Sequence, residues 1–63
     1  MDSIILSARQ QSALMHLLLD NKESVAELEC HQSENGAIHV WLDRYEVGAR
    51  RYRIAEDGTT ELD

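Results

Sequence analysis

All three glycines of the 63-residue chain end short tripeptides that begin with glutamate: Glu34-Asn35-Gly36, Glu46-Val47-Gly48 and Glu56-Asp57-Gly58. Glycine enters the left-handed backbone region without the clash a Cβ would cause, and three-residue hairpin loops commonly end in a residue of that conformation. The repeat therefore predicts three consecutive hairpins. Strand register tests the idea, because a one-residue slip turns every side chain of a strand to the opposite face. A two-residue loop at Asn35-Gly36 would set Cys30 against Trp41 and Leu28 against Asp43, splitting the apolar sets. A three-residue loop sets Cys30 against Val40 and Leu28 against Leu42. The same rule at Gly48 pairs Leu42 with Tyr52 and Val40 with Ile54, and at Gly58 it pairs Ile54 with Thr60 and Tyr52 with Leu62. One apolar face results, made of Ala26, Leu28, Cys30, Ile38, Val40, Leu42, Tyr52, Ile54 and Leu62. The strands fall at about 25–32, 38–45, 49–55 and 59–62.

Ahead of them, Ser7 followed three positions later by Gln10 has the form of a capping box, and "ARQQSALMHLLLD" holds no Gly, Pro or β-branched residue. A helix is predicted over about 8–20. The fold class is thus α+β, a single domain over 1–63 with one N-terminal helix packed on a four-stranded antiparallel β-meander. At about 100° per residue, Ala13, Leu14, Met15, Leu17, Leu18 and Leu19 sweep roughly 240° of the helix, whereas one packing layer needs only somewhat over about 100°. So short a chain buries only about 60% of its unfolded surface, and its single cysteine forms no internal disulfide. The surplus arc is expected to form a homodimer, with Met15 and Leu19, farthest from the sheet, as the dimerisation residues.

Charge is uneven: residues 1–43 sum to −5, 44–53 to +3 and 54–63 to −4, for a net charge of −6. "RYEVGARRYR", at 44–53, carries four of the six basic residues. On the face away from the helix, the expected register places Glu29, Trp41, Arg53 and Glu61 in one row and Glu27, Asp43, Arg51 and Asp63 in the next. Arg51 and Arg53 are then engaged by cross-strand carboxylates, and Arg53 lies over the Trp41 ring. Arg44 and Arg50 face each other on the helix side. Two arginines fall short of the stripe that phosphate binding needs, so nucleic acid is not an expected partner.

His31 and His39 stand opposite each other, but Cys30 points to the other face, and no CxxC or HxxxH spacing occurs. No metal and no cofactor are expected. Cys30, among apolar neighbours, reads as a core residue rather than a nucleophile. GxSxG, P-loop and GxGxxG motifs are absent from the sequence, and enzyme activity is not expected. Asp2 near the start and the short apolar run Ile4 to Leu6 fit neither a signal peptide nor a membrane span. With one cysteine, suited to a reducing compartment, the expected location is cytoplasmic.

"LSARQQSALMHLLLDNKESVAEL" resembles the opening of winged-helix transcription regulators, whose first helix often follows a Ser or Thr cap with an Arg-Gln pair. The resemblance spans about a third of the chain and implies a second helix at "SVAEL" and a DNA-binding role. It breaks off at "HQSENGAIHVW", where a turn and a β pattern replace a recognition helix, and no DNA-contacting residue is carried over. The leading expectation is a small acidic interaction protein, not an enzyme, that occupies a basic, nucleic-acid-handling surface of a larger protein, as phage or mobile-element inhibitors do. A winged-helix regulator and an antitoxin or immunity-like protein are the alternatives. The partner-binding residues expected are Trp41, Tyr45, Asp20, Glu23, Glu27, Glu29 and Glu34.

Overall fold

Ser7 takes an extended backbone and starts helix α1 (Ala8–Asp20) with a reciprocal cap: its Oγ accepts from Gln10 N, and Gln10 Oε1 accepts from Ser7 N. These contacts come from a computed structural model describing residues 4–63, so Asp2 lies outside the described residues. Asn21 caps the other end, its side-chain amide donating to Leu17 O. Strands β1 (Val25–Gln32), β2 (Ile38–Arg44), β3 (Gly48–Ile54) and β4 (Thr60–Leu62) follow. They form one antiparallel sheet in chain order, with α1 on one face.

The first and third loops share one construction. Ser33 N donates to Ala37 O and Gly36 N to Ser33 O; likewise Ala55 N donates to Thr59 O and Gly58 N to Ala55 O. In each, the middle residue accepts from the amide two positions on, Asn35 Oδ1 from Ala37 N and Asp57 Oδ1 from Thr59 N. Those bonds to Thr59 hold the Asp57 carboxyl below the usual carboxylate range. The second tripeptide has Val47 where the others have Asn35 and Asp57, with no side-chain acceptor, and the chain turns one residue earlier. Arg44 pairs with Gly48 around Tyr45, Glu46 and Val47, and Glu46 joins Gly48 at positive φ. The expected β2–β3 pairing is corrected accordingly. Val40 lies opposite Tyr52 and Ile38 opposite Ile54, two residues from the sequence-based register. Pairings across β1–β2 and β3–β4 agree with it. Because the slip is even, the apolar face survives intact.

Leu17, Ile38, Val40, Leu42 and Ile54 form the buried core, edged by Leu6, Ala13, Leu14, Leu18, Val25, Leu28, Cys30 and Tyr52. Two expected members are missing. Ala26 sits in a β-bulge between Val25 and Glu27, where it is exposed while Val25 packs inward. Leu62 is 66% exposed. A helix about 10 Å wide covers only the middle of a sheet whose four strands are spaced about 4.8 Å apart, so the outermost strand lies beyond its reach.

Gln10 is the one buried polar side chain among the described residues, 1% exposed. Beyond the cap, its Nε2 donates to Gly36 O at 2.8 Å and to Ile54 O at 3.2 Å. Ser7 Oγ adds a bond to Glu56 O. The helix N-terminus is thereby tied to both Asx-containing loops, and no buried side-chain polar atom among the described residues lacks a partner.

Gln10→Ala removes the side-chain donor from the buried Ile54 carbonyl and leaves Gly36 O only the 3.4 Å contact with Gln32 Nε2, and it should cost about 1–3 kcal/mol. Gln10→Glu should be worse at pH 7, because a carboxylate would face the Gly36 and Ile54 carbonyls. That raises its folded pKa above the unfolded value of about 4.3, so its deficit against the parent should shrink as pH falls through the folded pKa toward that value and be least below it. Urea unfolding of both variants and the parent, at pH 7 and pH 4, checks the order and the sign.

Candidate functional site

The sheet face away from α1 carries the side chains that alternate with the core. One row runs Glu29, Trp41, Arg51; the next runs His31, His39, Arg53, Glu61; a third pairs Glu27 with Asp43 and Ala49. Asp63 N donates to Arg51 O, which extends the β3–β4 pairing and adds Asp63 to the first row. The two-residue slip at the second hairpin sets Arg51, not Arg53, opposite Trp41. It also separates Arg44 from Arg50, correcting their expected confrontation. Arg44 Nε instead donates to Gly48 O across its own turn, and Arg50 lies opposite Leu42, exposed.

An open depression of about 550 Å³ lies here, lined by Glu29, His31, His39, Val40, Trp41, Arg51 and Asp63. The His31 and His39 rings stack, centroids 5.2 Å apart and planes 17° from parallel. His39 Nδ1 lies 3.2 Å from Asp63 Oδ2. Arg53 Nη1 reaches Glu61 Oε2 at 3.9 Å, an exposed pair worth little on its own. Among the described residues, no group of three or more His, Cys, Asp or Glu side chains is placed to hold a metal ion. Trp41 is half-buried and stands outside the core cluster.

The expected binding residues are scattered. Glu27 and Glu29 flank Trp41 on this face. Tyr45 is exposed in the β2–β3 turn, where its amide donates to Ser24 O, rather than standing on the strand beside Asp43. Asp20 ends the helix, Glu23 lies in the connection to β1, and Glu34 is in the first loop. Asp63 was not among the expected binding residues: the assumed β2–β3 register put it in the row of Asp43, four residues from His39, whereas the structure sets it in the row of Trp41, two residues away.

On the helix side, Leu6, Leu14, Met15, Leu18, Leu19 and Val25 line an apolar trough of about 530 Å³ that also takes in Gln11 and Lys22. Met15 and Leu19 are 61% and 57% exposed there. Residues 24–28, "SVAEL", lead into and form the start of β1, so the second helix implied by the winged-helix resemblance is not present. No helix among the described residues is long and apolar enough to cross a membrane. Comparison with models of protein families, with curated proteins and with solved structures finds no match to this chain.

Cys30 is half-buried on the helix side, and that burial pushes its thiol pKa up. With little thiolate present at neutral pH, Cys30 should react with a chromogenic disulfide reagent more slowly than free cysteine. Unfolding in urea should bring the two rates together.

Proposed function

We propose that this chain is a cytoplasmic, non-enzymatic interaction protein that binds a larger protein through the sheet face opposite α1. The observation that carries the reading is the position of Trp41. It is the sole tryptophan, lies outside the core, and lines an open depression among charged and imidazole side chains. Tryptophan is the residue type most enriched at interface hot spots, where an aromatic anchor enters a pocket of the partner and the charged rim excludes water.

Glu27 and Glu29 on the edge strand, with Asp43 and Asp63 nearby in register, favour a partner with a basic surface, such as the nucleic-acid groove of a larger protein. Carboxylates there would stand where phosphates otherwise lie. Arg51 and Arg53 on the same face add orientation, since a partner must match both signs. An inhibitor encoded by a phage or mobile element, and an antitoxin or immunity-like protein, would both use such a face. Self-association as a homodimer belongs to the same proposal, using the exposed apolar trough at Met15 and Leu19.

The two surfaces are tested separately. Trp41→Ala should abolish partner capture from lysate while unfolding free energy falls by no more than about 1–2 kcal/mol; a folded variant that still captures the same protein at full strength would remove this face from the account. Light scattering should return a dimer at high micromolar concentration, and Leu19→Lys should shift it to monomer with the far-ultraviolet circular dichroism preserved.

A further inference from the structure

β1 is the long edge of an open sheet, since the opposite edge, β4, has only three residues. Ser33 N donates to Ala37 O. By the alternation of an antiparallel ladder, Ser33, His31 and Glu29 turn their backbone groups toward β2, while Gln32, Cys30 and Leu28 turn theirs outward. Among the described residues, no backbone hydrogen bond joins that outer side to another segment. Natural edges are commonly blunted by lysine, proline or a bulge. β1 has no lysine or proline, and its bulge, at Ala26, lies at one end. The apolar trough opens on the same side, with Val25 of β1 in its wall.

We propose that two copies of this chain pair antiparallel through β1, with Cys30 on the two-fold axis, to give one continuous eight-stranded sheet. This specifies the geometry of the self-association proposed above and rests on it. Pairing that keeps both helices on one face must set like-facing residues opposite each other, which leaves three central alignments. An axis at Leu28 sets Glu27 against the second copy's Glu29, twice. An axis at Glu29 sets that carboxylate against its own copy. An axis at Cys30 sets Glu29 against the second copy's His31 on both sides, and is the alignment without opposed carboxylates at its centre. It also places the outward amides of Leu28, Cys30 and Gln32 in bonding positions, Leu28 against Gln32 and Cys30 against itself. Both troughs then open toward each other over the joined strands.

Hydrogen exchange by nuclear magnetic resonance, with sedimentation of the same samples, tests the pairing. Leu28 and Cys30 amides should exchange freely in dilute samples and at least about tenfold more slowly at concentrations where the chain sediments as a dimer. Each change at position 29 or 31 acts on two symmetry-related pairs. Glu29→Lys should therefore weaken the dimer about 2- to 30-fold, and His31→Lys should tighten it by a similar factor. Glu29→Lys combined with His31→Glu should restore the affinity of the parent. A chain that stays monomeric into the high micromolar range overturns both this geometry and the self-association reading. A dimer that Leu19→Lys dissociates, yet whose Leu28 and Cys30 amides stay unprotected, or which ignores Glu29→Lys, overturns the strand pairing alone.

Discussion

The carboxamide of Gln10 fixes where the helix sits. Apolar burial holds α1 against the sheet but is non-directional, and a leucine-rich helix on a flat face can shift with little change in buried area. Gln10 removes that freedom. One end of its amide closes the helix cap on Ser7, and the other donates to carbonyls of Gly36 and Ile54. A buried amide with an unmet partner costs more than a met one gains, so alternative placements are penalised more strongly than this one is favoured. Gly58 completes the fit. A Cβ there would come within 3.1 Å of Arg9 Cβ and Arg9 O, so the last loop lies directly against the first helical turn.

Much of this was legible in the sequence. The cap was visible as Ser7 and Gln10, and the helix and strand bounds agree with expectation to within a residue. What a cap pattern does not say is where the far end of the glutamine reaches, since Gly36 and Ile54 are distant in sequence. The loops are more instructive. "ENG" and "EDG" carry an Asx side chain that accepts from the amide two residues on, and there the sequence-based register is correct. "EVG" shares their outline but not that acceptor, and there the register is off by two. Every misplaced cross-strand pair, Arg53 over Trp41 on the outer face and Arg44 against Arg50 on the helix side, follows from that one turn. The bulge at Ala26 left no comparable mark, since an alanine fits a regular strand equally well.

Two unlike surfaces follow from one mismatch of width. A single helix covers the centre of a four-stranded sheet and leaves its margins bare, so Leu28 and Cys30 are half-buried and Leu62 is open to solvent. The reverse face has no covering layer and is built from charge, two stacked imidazoles and one indole. Opposite charges spaced across the strands keep that face solvated, and few aliphatic side chains are there to drive sheet-on-sheet stacking. The lone large aromatic therefore stands out from its surroundings in shape as well as in chemistry.

The reach of Gln10 also sets an order of events. The sheet is a meander of neighbouring hairpins, whose loops close quickly and locally, whereas the helix contacts span 26 and 44 positions. Helix docking is the step of high contact order, and it waits for β3. On a ribosome the leucine-rich helix emerges well before the strand that supplies Ile54. At about 5–20 residues per second, the separation of 44 positions delays the Gln10 bond to Ile54 by roughly 2–9 s, an interval in which chaperones compete with the chain's own sheet for the helix.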